Sequence, residues 1–218
     1  MKQPFFQIAC ALMVLMLMPL SKMMGQSFQY PEYEEDTVRI AVNYSGKQPN
    51  IADFVTAVLD ANNEIDFYQV VNRDWKLYRK NQPIVGKATI TLDVKNGYMR
   101  YETHYPEASD LSSLEMCYWN CKDGKHKLIC CNGVLKMEDD YGWADYVGPS
   151  FYLYDTATKS MRDILAEDIG ALYDGDGLAV FSLPRKGKNI KVSVGAGGER
   201  WNEVLVWDGY QFHSKEVK

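Results

Sequence analysis

From Lys87 onward the chain alternates apolar and polar residues with a period of two, and that alternation confines most of it to antiparallel sheet. The strongest signal is Ala88 to Val94, then Asn96-Gly97, then Tyr98 to Tyr105. A two-residue type I′ turn at Asn96-Gly97 puts both turn residues at positive φ. It pairs Val94 with Met99, Leu92 with Tyr101 and Ile90 with Thr103 on an apolar face. Asp93 then meets Arg100, and Thr91 meets Glu102, on a polar face.

Further hairpins follow. Leu114–Asn120 returns as Lys125–Cys131 around Asp123-Gly124, and the segment beginning at Phe151 reads as strand, turn and strand. Leu178–Leu183, Asn189–Val194, Glu203–Trp207 and Tyr210–Lys215 complete the strands, with a short helical turn expected within Glu167–Tyr173. Upstream, Asn50 to Ala61 reads as a helix. Ile51, Phe54, Val55, Val58 and Leu59 share one face, Asn50 caps it, and Asp53 completes a capping box. Ile65 to Tyr78 fits both periods and reads as strand or mixed structure from Asp74 onward. Thr37 to Tyr44 suits an edge strand. The expected fold is mainly β or α+β: an N-terminal helix packed on antiparallel hairpins or a meander, in one domain spanning residues 26–218. The alternative is a propeller-like partial set of blades, suggested by the related hairpins around Tyr118, Phe151 and Leu205.

The first 25 residues stand apart. A basic start, Met1-Lys2, precedes an uncharged apolar run from Phe5 to Leu20 and then a polar step ending in Gly25-Gln26-Ser27. That is the order of a secretory signal peptide cut after Gly25, and the run is shorter than the roughly 20 residues a spanning helix needs. The protein is expected in the periplasm or outside the cell, with no membrane span after cleavage. Cys10 lies inside the apolar run, not at the cut, which argues against a lipoprotein. Loss of Lys2 and Lys22 leaves 22 of 24 basic residues against 29 acidic ones, moving the formal charge from -5 to -7. Such a chain has no electrostatic attraction to nucleic acid or anionic lipid.

The Gly-Gln-Ser signal end, the F-Y-L-Y-D-T-A-T-K-S-M segment, the L-P-R-K-G-K-N-I-K-V stretch and the closing L-V-W-D-G-Y-Q-F resemble small exported proteins of Bacteroidetes-type bacteria. That resemblance covers the signal and parts of the last 70 or so residues. It implies an exported, mostly β protein and no active site.

Cys117, Cys121, Cys130 and Cys131 all fall in or beside the second hairpin. Its register sets Cys117 opposite Cys130, counted outward from a two-residue turn as a closely spaced, non-hydrogen-bonded pair. An exported protein can oxidise such a pair, so Cys117 and Cys130 are the disulfide candidate. Cys121 faces His126 and Cys131 faces Met116. Cys117 and Cys121 are about 13 Å apart at strand rise, too far to share one tetrahedral ion, so no metal is expected. No cofactor motif is present either: Gly195-Ala196-Gly197-Gly198 lacks the Gly-Lys-Ser/Thr that cradles phosphate, and Asp174-Gly175-Asp176-Gly177 runs into Leu178 instead of further calcium ligands. His104, His126 and His213 belong to no catalytic pattern, and Glu138, Asp139 and Asp140 read as a solvated acidic loop.

The aromatic density from Tyr141 to Tyr154 is the one bias with functional reach. Aromatic side chains beside acids stack on sugars or anchor proteins, although they also fill strand-rich cores. Tyr141, Trp143 and Tyr146 are therefore the ligand-binding candidates. The expected function is a non-catalytic exported module that binds a protein or glycan at the cell envelope. The alternative is a hydrolase with a carboxylate-based site. Mass measurement of the exported protein is expected to find a chain beginning at Gln26; an intact Met1 chain in the membrane fraction would contradict it.

Overall fold

The computed structural model describes residues 28–31, 38–84, 86–104, 111–136, 144–171, 178–196 and 199–217. Residues 28–31 belong to a separate N-terminal unit, where Phe28 and Tyr30 pack edge to face with centroids 5.0 Å apart. The larger unit spans Glu32–Lys218.

Helix α1 spans Ile51–Ala61 and starts as the sequence predicts. Asn50 is extended, its Oδ1 accepts the Ala52 N–H at 2.8 Å, and Asp53 Oδ2 accepts the Asn50 N–H at 2.8 Å. This reciprocal capping satisfies donors that a helix start leaves orphaned. Ile51, Phe54, Val55, Val58 and Leu59 are all fully buried.

Helix α2 spans Asp66–Arg79, which corrects the strand reading from Asp74 onward. Tyr68, Val71, Asn72 and Trp75 recur at helical spacing and are all buried. Lys76 and Arg79 in its last turn favour the negative end of the helix dipole. Trp75 Nε1 donates to Thr56 Oγ1 at 3.0 Å and ties α2 to α1. Asp74 is 1% exposed, yet both its oxygens are engaged, by Tyr101 Oη at 2.9 Å and by Arg73. A buried carboxylate is tolerated only with such partners. The β-branched and aromatic content that suggested a strand is the face of a helix that packs on a sheet.

That sheet has seven strands: β1 Ile40–Ala41, β2 Ala88–Asp93, β3 Tyr98–His104, β4 Leu111–Asn120, β5 His126–Lys136, β6 Ala144–Asp155 and β7 Ser160–Ile164. Their order is β1-β7-β6-β5-β4-β3-β2, all neighbours antiparallel. A second antiparallel sheet, β11-β10-β9-β8, uses β8 Leu178–Ser182, β9 Ile190–Ala196, β10 Glu199–Trp207 and β11 Phe212–Glu216. One turn of 3-10 helix covers Glu167–Ile169. These two stacked meanders are the expected mainly β architecture; the hairpins are not arranged as propeller blades.

The faces of the large sheet sort the core into two. Met99, Tyr101, Leu114, Met116, Ile129, Cys131, Tyr152 and Tyr154 pack with the helices. The opposite face meets the small sheet. Trp119 lies edge to face on Phe212 at 5.3 Å, and Phe212 also packs on Trp207 and Phe151. Trp119 Nε1 donates to Lys188 O at 2.9 Å, and Asn132 Nδ2 donates to Phe181 O at 2.9 Å. Asn132 sits where the β5–β6 register shifts between Cys131 and Gly133. Pro149 lies on the β6 side of that irregularity, which is where a strand tolerates a residue without an N–H.

The first hairpin corrects the expected register by two residues. Leu92 pairs with Met99, Ile90 with Tyr101 and Asp93 with Tyr98, so the loop is Val94–Gly97 and no type I′ turn forms. Gly97 N–H donates to Val94 O at 3.3 Å and Gly97 has φ +66°, while Asn96 is not at positive φ. Asp93 accepts both the backbone and the side-chain amide of Asn96, an arrangement that favours the longer loop. A shift of two preserves parity, so the predicted faces survive.

A Cβ at Gly97 would fall 2.8 Å from the Tyr118 ring, whereas one at Gly124, also at φ +68°, meets nothing within 4 Å. Gly97→Val is expected to cost about 2–4 kcal/mol, from a disfavoured backbone and a crowded ring. Gly124→Val carries only the backbone penalty, about 1–2 kcal/mol. Urea denaturation of the two variants checks the difference.

Candidate functional site

The two sheets separate at one margin, where the connection from β8 to β9 passes over β2, β3 and β4. A cleft of about 470 Å³ opens there. Its wall from the large sheet carries Thr91, Tyr98, Arg100 and Glu115; its wall from the small sheet carries Leu183, Arg185, Lys186 and Lys191. Alternation places Tyr98, Arg100 and Glu115 on the face opposite the helices, because β3 and β4 pair Tyr98 with Cys117 and Arg100 with Glu115.

Glu115 organises this margin. Oε1 accepts Tyr98 Oη at 2.8 Å and Arg100 Nη1 at 3.4 Å, and Oε2 accepts the Leu183 N–H at 3.0 Å. The last bond fixes the end of β8 to the large sheet. Burial and the adjoining Glu115 carboxylate push the Tyr98 phenol up, so it stays a neutral donor. Burial opposes the charge on Arg100, but Glu102 and Glu115 outweigh it and raise the guanidinium pKa. Arg100 also binds Glu102 Oε1 through Nη2 at 2.7 Å, and its Nε is buried without a hydrogen-bond partner. Arg185 reaches across to Asp93 at 3.0 Å. Hydrogen bonds from Asn96 and Arg185 hold the Asp93 carboxyl at about 2. Lys186 and Lys191 make no ion pair among the described residues.

Chemically, the arrangement presents hydrogen-bond donors held in place by Glu115. General acid–base work needs a group free to take or give a proton in a substrate's reach. Here the one lining acid already accepts three hydrogen bonds. Two histidine–carboxylate pairs among the described residues lie elsewhere, in surface turns. His126 Nδ1 is 2.6 Å from Asp123 Oδ2, and His213 Nε2 is 2.9 Å from Asp208 Oδ2. Burial raises the Asp123 pKa, but hydrogen bonds from His126 and Lys125 outweigh it and lower it overall. Among the described residues, no three His, Cys, Asp or Glu side chains converge to hold a metal ion.

Of the aromatic candidates, Tyr141 and Trp143 lie outside the described residues, as do Glu138, Asp139 and Asp140. Tyr146 is in β6, paired with Val134 of β5. Phe151, Tyr152 and Tyr154, farther along the same run, are core residues. Residues Asp174, Gly175, Asp176, Gly177, Gly197 and Gly198 also lie outside the described residues. Sequence reasoning missed Tyr98, Arg100 and Glu115. One signal was available: Glu115 interrupts L-E-M-C-Y-W, a run apolar on both faces, and an acid there needs a buried partner.

The cysteines adjoin this site. Cys117 pairs with Cys130 and Met116 with Cys131, as the sequence predicts. The pair class differs from expectation. Cys121 N–H donates to His126 O at 3.1 Å, so counting along the ladder makes Cys117–Cys130 a hydrogen-bonded pair. The expected two-residue turn would have given the opposite phase. Side chains in this class stand farther apart than the roughly 3.8 Å that a disulfide wants between β-carbons. No disulfide joins these four cysteines, and all are buried. Burial pushes Cys117 and Cys130 well up, and Cys131 up to about 12 despite a contact with Tyr68 Oη at 3.4 Å. Exchange proceeds through the thiolate, so these groups are slow to react while folded.

No protein-family model, no curated protein and no solved structure matches the chain.

We propose Cys117–Cys130 as the pair that an oxidising compartment links. The bridge is expected to contribute less than the about 3 kcal/mol of an unstrained loop of this size, because the strands must close toward each other. Non-reducing peptide mapping of the exported protein checks the pairing. A Cys121–Cys131 link would contradict the register, and four thiols that alkylate only after denaturation would show a purely structural role.

Proposed function

We propose that this is an exported, non-catalytic module that binds a protein or glycan at the cell envelope, with the inter-sheet cleft as its binding site. The observation that carries the reading is the state of Glu115. Among the described residues it is the sole acid lining the cleft, and both its oxygens are committed to Tyr98, Arg100 and the Leu183 backbone. Such an arrangement shapes a surface and leaves no spare carboxylate for the paired-acid chemistry of a glycosidase. Binding sites are concave, largely preformed, and carry a few fixed polar groups. The cleft is concave and carries a few polar groups fixed by hydrogen bonds, and its walls come from two different sheets.

The export signal supports an envelope setting, because a protein released there meets glycans and other exported proteins. A glycan array and an envelope pull-down with residues 26–218 test the reading. Retention of at least one ligand is expected, and Arg100→Ala is expected to weaken it roughly tenfold or more. Hydrolysis of a glycan or peptide substrate that survives loss of all binding to the array would favour the hydrolase alternative instead.

A further inference from the structure

We propose that the inter-sheet cleft recognises an oxyanion, and that its natural ligand is a small acidic molecule or an acidic sugar residue carrying a carboxylate or phosphate. This deepens the binding-module reading and rests on it.

Arg100, Arg185, Lys186 and Lys191 line the cleft against a single acid, Glu115. Thr91, Ser182 and Asn189 add further donor-capable side chains. Two of the four cations are answered from the rim, Arg100 by Glu102 and Arg185 by Asp93. Lys186 and Lys191 are exposed and have no carboxylate partner among the described residues. Glu115 already accepts three hydrogen bonds, so it has little capacity left for a ligand's donors. The cleft thus offers many donors and few acceptors. A ligand that fits must supply acceptors and negative charge.

The setting sharpens this. The whole chain carries a formal charge of -5, so an anion has no general reason to approach it. A local concentration of cations in a concave site between two sheets supplies a specific one, since low-dielectric walls focus the field of the charges that line them. Arg100 is fixed by two carboxylates with its Nε buried, while Lys186 and Lys191 come from the other wall on long flexible stems. A rigid guanidinium on one wall and adaptable ammonium groups on the other suit a compact anion clamped between them. At about 470 Å³ the space suits a monosaccharide or a small polycarboxylate and is too small for a folded partner to enter.

Isothermal titration of residues 26–218 with galacturonate, citrate and inorganic phosphate tests the proposal, with galactose as the neutral control. Binding of at least one anion with Kd of roughly 1 mM or tighter is expected, with no heat from galactose. The K186E/K191E double variant changes two exposed side chains and should keep the wild-type melting temperature. It is expected to weaken anion binding roughly tenfold or more, and raising salt from about 0.05 to about 0.5 M should weaken it several-fold. Preference for galacturonate assigns an acidic sugar, preference for citrate a free carboxylate, and preference for phosphate a phosphoryl group. The proposal is overturned if no anion binds below about 10 mM, if galactose binds as well as galacturonate, or if the double variant binds unchanged. A glycan or protein retained on the array or pull-down, insensitive to K186E/K191E but lost with Arg100→Ala, would overturn the oxyanion inference and leave the binding module standing. Absence of any retained ligand would remove both.

Discussion

The central strands β4 and β5 are covered on both faces, and much of the structure follows from that. Leu114, Met116, Ile129 and Cys131 face the helices, while Cys117, Trp119, Leu128 and Cys130 face the other way, and all are buried. An antiparallel sheet usually leaves one face to water. Here neither face of β4 and β5 can be left there, so two helices must dock on one side and a second sheet on the other. Specific contacts position the small sheet, among them Trp119 against Phe212, the Trp119 indole on Lys188 O, Asn132 on Phe181 O and Glu115 on the Leu183 N–H. Area supplies the bulk of such stabilisation, roughly 25 cal/mol per Å² of apolar surface buried, but area does not set register. Hydrogen bonds to fixed backbone groups do.

Glu115 shows how a single polar residue inside a hydrophobic interface trades stability for position. Removing a carboxylate from water is costly, and truncating it would leave the Tyr98 hydroxyl and the Leu183 N–H without an acceptor, at about 1–3 kcal/mol for each buried group. The same bonds determine where β8 ends and where the loop to β9 begins. That loop carries Arg185 and Lys186, and Lys191 follows in β9. The charge arrangement of the cleft therefore depends on a bond buried behind it, and the chemistry at the opening is inseparable from the packing below.

Much of the large sheet was legible because it is local. Hairpins joined by short loops announce themselves through alternation and turn residues, so the β4–β5 register followed from counting around Asp123-Gly124. The β2–β3 register did not, because Asn96-Gly97 is compatible with both a two-residue and a four-residue loop. The Asp93 contacts that favour the longer one are tertiary in their consequences: Arg185, from the other sheet, holds the same carboxylate. Helix α2 was read partly as strand because Val70, Val71, Trp75 and Tyr78 are strand formers by propensity. The decision lay in the core that buries Val71 and Trp75 with Met99 and Tyr101, which are distant in the sequence.

The stacking of the two sheets was the least legible feature, and the candidate site was lost with it. Tyr98 and Arg100 lie in one hairpin, Glu115 in the next, and Leu183 to Lys191 some 70 residues later. Nothing in local pattern joins them. The aromatic run drew attention instead, because density along the chain is visible where proximity in space is not. Part of that run, Phe151, Tyr152 and Tyr154, is consumed by the core. Density of aromatic residues in a β protein first reports how much interface must be filled. An acid placed where both neighbours in the strand are buried is the more informative anomaly, since it has no place in a core unless something distant comes to meet it. In this chain the partners are a phenol, a guanidinium and a backbone amide, and the cleft lies where they meet.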